Sequence, residues 1–175
     1  MAKSARMYKE AYGDETIYLT TDQNYDYRGA GWRAGDKTLL LNVAMTDGNY
    51  IRLPEATTDN LGLHVRIIFG LSPADNIKIG FVTTKLVGGA VGISDASQGL
   101  STANGFSQIS AVGTSNLAMV FDADGSTDDG SGFPGTVVDI YYTGAENVAM
   151  VHATLIGDVD SATGANFFTT ATVIA

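Results

Sequence analysis

Apolar and polar positions alternate with a period of two through much of this chain. Leu63, Val65, Ile67 and Phe69 alternate with His64, Arg66 and Ile68, and Ile77, Ile79 and Phe81 with Lys78, Gly80 and Val82. That period puts the first set of each run on one face of a half-buried strand. Compact apolar runs bounded by turn residues add strands at 17–20, 38–43, 49–53, 86–93, 106–112, 117–121, 136–142, 148–156 and 167–174. Asp47-Gly48 has the turn chemistry of a hairpin between 38–43 and 49–53. Pro54 ends the second of these strands, because it has no N–H for a ladder. No amphipathic helix emerges beyond one or two turns over 4–12, and 24–31 reads as loop. The longest irregular pieces are 95–105 and 122–135. About ten short strands at this spacing predict an all-β fold, a β-sandwich or jelly-roll-like barrel, with an N-terminal arm.

Composition sharpens the division between arm and body. The chain has 175 residues, enough for one domain with an ordinary core. Only 17% are charged, 21 are glycine and none is cysteine, so no disulfide framework or thiolate chemistry is available. The net charge is −9. Residues 1–40 hold six bases and six acids, so residues 41–175, with four bases and thirteen acids, carry all of it. An acidic body disfavours nucleic acid as a partner. No stretch has the length and apolarity of a signal peptide or a membrane span, which predicts neither secretion by that route nor insertion. Five of the eight tyrosines and the single tryptophan fall within residues 1–37. Residues 1–37 are therefore predicted to be an interface-rich arm and residues 38–175 a β-rich body. Aromatics and arginine are the types that anchor interfaces. Tyr8, Tyr12, Tyr25, Tyr27, Arg28, Trp32 and Arg33 are the contact candidates; the alternative packs the aromatics into the protein's own core.

Candidate chemistry is sparse. In 122–130, Asp122, Asp124 and Asp128 lie close together among turn glycines, the composition of a loop that wraps Ca²⁺. The spacing departs from an EF-hand: glycine stands fourth rather than sixth, and Phe133 occupies the twelfth place. A solvated acidic loop tip is the competing reading, and the same holds for Asp158 and Asp160. His64 and His152 sit in strand-like runs and read as polar-face residues rather than zinc ligands. No Gly-x-Ser-x-Gly elbow occurs, and Gly88-Gly89-Ala90-Val91-Gly92 lacks the Lys-Ser/Thr of a phosphate loop. These patterns predict a protein that is not an enzyme and needs no cofactor.

The segment Asn49-Tyr50-Ile51-Arg52-Leu53-Pro54-Glu55-Ala56, followed by Gly62-Leu63-His64-Val65-Arg66-Ile67-Ile68-Phe69, resembles a pattern of phage virion proteins. There a strand ends in Ile-x-Leu-Pro-x-Ala, and a Gly-Leu strand of alternating residues follows a short loop. Residues 137–148 are similar to the same family's strand, Asp-Gly-x-Asn-Trp turn and returning strand, with Thr143-Gly144 in place of Asp-Gly and Val148 in place of Trp. The resemblance spans roughly 38–156 and its motifs are structural. It implies a small β-rich capsid decoration (cement) or other head-associated protein, often trimeric. The expectations that follow are binding to the major capsid protein, a homo-oligomer with a trimer favoured, a place on the capsid surface of the virion, and assembly in the host cytoplasm. A second reading is a tail- or fibre-associated module that recognises glycan, since exposed aromatics on a β scaffold serve both.

Overall fold

The apolar phase of each alternating run is the buried phase. Leu63, Val65, Ile67 and Phe69 are fully buried, while His64, Arg66 and Ile68 face outward. In this computed structural model the described residues are 15–28, 32, 36–87, 91–95, 107–109, 116–121, 130–158 and 168–169. They form fourteen strands: β1 (Glu15–Leu19), β2 (Tyr25–Asp26), β3 (Lys37–Leu41), β4 (Tyr50–Arg52), β5 (His64–Phe69), β6 (Ile77–Gly80), β7 (Lys85–Val87), β8 (Val91–Asp95), β9 (Ser107–Ile109), β10 (Ala118–Phe121), β11 (Gly130–Ser131), β12 (Val137–Tyr142), β13 (Val148–Asp158) and β14 (Phe168–Thr169). A single 3-10 turn, Thr58–Asn60, is the helical content among them. The fold is all-β. None of its described helices is long and apolar enough to cross a membrane.

The strands make two sheets. The large one has nine, in the order β1-β3-β5-β12-β13-β8-β9 with β7 and β11 also paired to β13; the small one has the order β14-β10-β6-β4-β2. From β1 to β6 the chain changes sheet at every strand. A strand that crosses over and back re-enters its own sheet in its original direction. Accordingly β1 pairs parallel with β3 and β3 with β5, and β2 pairs parallel with β4 and β4 with β6. The second half closes the sheets with antiparallel pairs, β5–β12, β12–β13 and β6–β10.

This topology corrects several expectations. Asp47-Gly48 is not a hairpin turn, because β3 and β4 belong to different sheets. Gly48 instead turns a corner between them, with φ +79° and the Asn49 N–H donating to the Thr46 carbonyl at 3.2 Å. The run 86–93 is two strands, β7 and β8, both parallel to β13. The 24–31 loop contains β2, and the 122–135 loop contains β11.

The largest correction concerns the arm. Among the described residues its expected boundary at residue 37 does not separate an arm from the sheets, because β1 and β2 are members of the two sheets. Leu19 and Trp32 sit in the common core, and Ile17, Tyr25 and Tyr27 pack against it. The helical turns expected over 4–12 lie outside the described residues.

The core fills the space between the sheets. Phe69 of the large sheet meets Phe121 of the small one at 4.7 Å, and Phe81 meets Tyr142 edge-on at 6.0 Å. Each fully buried aliphatic or aromatic side chain contributes roughly 1.5–3 kcal/mol. Gly80 is needed where β6 passes β10: a Cβ there would lie 2.6 Å from Ala118 Cα, inside backbone that cannot move away.

Leu53-Pro54-Glu55-Ala56 locks one corner of the sandwich. Glu55 accepts five hydrogen bonds from 82–84: the N–H groups of Val82, Thr83 and Thr84 at 2.8, 3.1 and 2.7 Å, and the hydroxyls of Thr83 and Thr84 at 2.8 and 2.7 Å. Burial alone would raise its carboxyl pKa, but the Thr84 hydroxyl and the other donors outweigh it and hold the group below its ordinary value. The Tyr142 hydroxyl donates to the Pro54 carbonyl at 2.9 Å, and the Ala56 N–H donates to Thr84 Oγ1 at 2.8 Å. Burial pushes the Tyr142 phenol pKa far up, which keeps it a neutral donor. Among the described residues no buried side-chain polar atom lacks a partner.

Candidate functional site

Of the residues expected to anchor a partner, those described lie in β2 and at positions 27, 28 and 32. Tyr25, Tyr27 and Trp32 form a ladder, with Tyr25 and Tyr27 rings 6.3 Å apart and Tyr27 and Trp32 rings 4.7 Å apart. Trp32 closes it at 9% exposure, leaving almost no area for a partner. Tyr27 is half-buried, and burial, with a smaller push from Tyr25, raises its phenol pKa to about 12. The Tyr25 hydroxyl donates to the Thr21 carbonyl at 2.7 Å. Arg28 is exposed but holds Asp26 in a two-pronged pair, Nε–Oδ1 3.0 Å and Nη2–Oδ2 2.7 Å. Arg52 reaches the same carboxylate at 3.0 Å. Hydrogen bonding from Arg28 is the main reason the Asp26 pKa falls to about 2. This cluster therefore serves mainly to seat the N-terminal strands. Tyr8, Tyr12 and Arg33 lie outside the described residues, as do Asp122, Asp124, Asp128 and Asp160. Among the described residues no group of three or more His, Asp or Glu is placed to hold a metal ion.

The surface most unlike ordinary solvent-facing sheet is the outer face of β1, β3, β5, β12 and β13. Strand register lines up its outward positions in rows. One row is Tyr18–Leu40–Ile68–Val137, ending at Thr154. Its apolar members occupy positions where alternation normally sets polar side chains, and Tyr18 is 65% exposed. The next row is Thr16–Thr38–Arg66–Asp139–His152, and the third is His64–Tyr141–Met150.

The charges of this face are satisfied within it. Asp139 accepts from Arg66 Nε at 2.8 Å and Nη2 at 3.2 Å. His64 Nε2 lies 2.7 Å from the same carboxylate, and its Nδ1 lies 3.9 Å from Asp36 at the margin of the face. Because an ionised carboxylate only accepts, His64 donates from Nε2. Burial would raise the Asp139 pKa, but hydrogen bonds from Arg66 and His64 outweigh it and lower it. The His64 ring stacks on Tyr141 at 4.6 Å and 6° between planes, and His152 meets Tyr141 edge-on at 5.9 Å. Both histidines occupy the outward strand positions that the alternation predicted. In these rows Arg66 and Asp139 are the charged residues and they pair with each other, so the face adds no net charge to a chain of net charge −9, and its first row is apolar and aromatic up to Thr154.

Reading by residue type missed this face. Its signal was present as apolar residues in the polar phase: Leu40 between Leu39 and Leu41, Ile68 between Ile67 and Phe69, Val137 beside Val138. Only the cross-strand register shows that they form one row.

On the outer side of the small sheet, Asp47, Gly48, Asn49, Tyr50, Asn76, Lys78 and Val120 line a cavity of about 230 Å³. Asn49 Nδ2 is engaged by Asp22 at 2.6 Å, and the Arg52 guanidinium lies 4.8 Å over the Tyr50 ring.

Searches for a matching protein family, a similar curated protein and a similar solved structure each found no match for this chain.

Proposed function

We propose that this chain is a structural protein of a virus particle, a phage capsid decoration protein that binds the major capsid protein through the outer face of its nine-stranded sheet. The observation that carries the reading is the row Tyr18–Leu40–Ile68–Val137, apolar where a solvated sheet is polar and flanked by charges that neutralise one another. Such a face loses little polar hydration when covered, and it allows an acidic protein to approach another surface without repulsion. The locked corner at Glu55 supports the same role, since a protein that reinforces a shell must resist local opening. The virion-like motifs of 49–69 coincide with that corner and with β5.

Co-sedimentation of the purified chain with assembled heads tests the proposal. Ile68→Asp, which alters the row and leaves the core face intact, is expected to lower head occupancy at least about tenfold with an unchanged thermal melt. Occupancy equal to wild type, or no binding by the wild type, overturns it.

The cavity beside Tyr50 favours a second reading, a tail-associated module that recognises glycan. It is smaller than a site for a drug-sized ligand, and Asp47, Asn76 and Lys78 offer polar contacts. Under that reading Tyr50→Ala abolishes binding to host-surface glycan while head occupancy stays unchanged.

A further inference from the structure

Among the described residues six strands have one strand neighbour, the four at the ends of the two sheets and the short β7 and β11 beside β13, and these are unequal. β2 and β14 are two residues long and β9 is three, whereas β1 is five. Short edges are a common protection against strand addition, as are charge, proline and bulges. β1, Glu-Thr-Ile-Tyr-Leu, has no proline, and its one charge is at its first residue, paired with Lys37 at 3.0 Å.

Backbone direction identifies the groups on its open side. The Glu15 N–H donates to the Asp36 carbonyl at 3.1 Å, and the Leu19 carbonyl accepts the Asn42 N–H at 2.9 Å. The odd residues of β1 therefore point their amides toward β3. By alternation, the N–H and C=O of Thr16 and Tyr18 point away from it, where among the described residues no strand pairs.

We infer that β1 is the contact between two copies of this chain, paired antiparallel about a two-fold axis at Ile17. In that register Thr16 of each copy faces Tyr18 of the other, and both are the outward-pointing residues. The two pairs make four N–H···O bonds, and Ile17 meets Ile17 as the intervening pair that makes none. The charge pattern selects this partner and this direction. Glu15 falls opposite Leu19 of the other copy, so the two carboxylates lie at opposite ends of the contact. Parallel addition would set Glu15 beside Glu15, which is repulsive. The neutral outer faces of the two sheets become continuous across the axis, so strongly acidic copies meet along a side that carries little of their charge. This inference does not rest on the virion reading and would hold for a β protein of any function.

Analytical ultracentrifugation of the full chain across a concentration series tests it, together with hydrogen exchange over 15–19. The expected result is a species of twice the 18.3 kDa chain mass, with the Thr16 and Tyr18 amides protected only at concentrations where it forms. Tyr18→Pro removes an edge N–H where proline is tolerated, and should weaken association at least about tenfold. Thr16→Lys, which adds charge to the edge without touching the backbone, should do the same with an unchanged circular dichroism spectrum. A monomer at every concentration, a trimer, or a dimer insensitive to Thr16→Lys overturns the inference.

Discussion

Two regions of this molecule are rich in aromatic residues, and they use them in opposite directions. In the segment around β2, Tyr25, Tyr27 and Trp32 stack into one another and close against the core. On the outer face of the large sheet, Tyr18 projects into solvent and Tyr141 lies among His64 and His152. The residue types are the same, so type alone does not separate an anchor from a core residue. Position in the pleat does: one residue of shift moves a side chain from one face of a sheet to the other. An aromatic cluster near the N-terminus looks like an adhesive arm until its strands are assigned to sheets.

The most severe way to break the comparison is to delete residues 1–32. This removes β1, β2 and Trp32 from a shared core, and it should abolish the cooperative thermal transition rather than release a folded body. Retention of a native-like melt and near-UV spectrum would restore the separate arm. Next in size is a pair of truncations. Trp32→Ala should cost about 3–5 kcal/mol in urea denaturation, as expected for a large buried side chain, while Tyr18→Ala should stay within roughly 0.5 kcal/mol. Equal losses would mean that the two aromatics are not in opposite environments.

Smaller effects separate the two half-buried carboxylates, Glu55 and Asp139. Both are held below their ordinary pKa against the pull of burial, Glu55 by backbone and threonine donors and Asp139 by Arg66 and His64. Glu55→Gln should cost about 2 kcal/mol, because an amide cannot accept from five donors and brings donors of its own. The sign with pH follows from the direction of the shift. With its pKa lower folded than unfolded, Glu55 contributes stability above the unfolded value of 4.5 that is lost as pH falls through the folded one. A denaturation series from pH 6 to pH 3 should show wild type losing more stability than Glu55→Gln. Of the two carboxylates the smaller effect is expected for Asp139→Asn, below about 1 kcal/mol by thermal melt, since its partner Arg66 is half exposed and can turn to water.

Much of the fold was legible in the chain because strand formation leaves a local trace. The alternation over 63–69 and 77–82 named the buried residues of β5 and β6 correctly, and Pro54 marked the end of β4. The role of Glu55 was not legible: it sits between buried neighbours, but its partners at 82–84 lie almost thirty residues away. Asp47-Gly48 misled for a related reason. A glycine turn with positive φ is the same local object whether it joins neighbours in one sheet or carries the chain to the other.

Short strands, the apolar side of many of them, and a net negative charge that arises after residue 40 are all written in the chain itself. Those are properties of single residues and of a two-residue period. Three features are not: that the chain changes sheet at each of its first six strands, that β1 and β2 belong to the body, and that Tyr18, Leu40, Ile68 and Val137 share one row. Each of these depends on which strands become neighbours, and that is set by closing one core between two sheets from segments far apart along the chain.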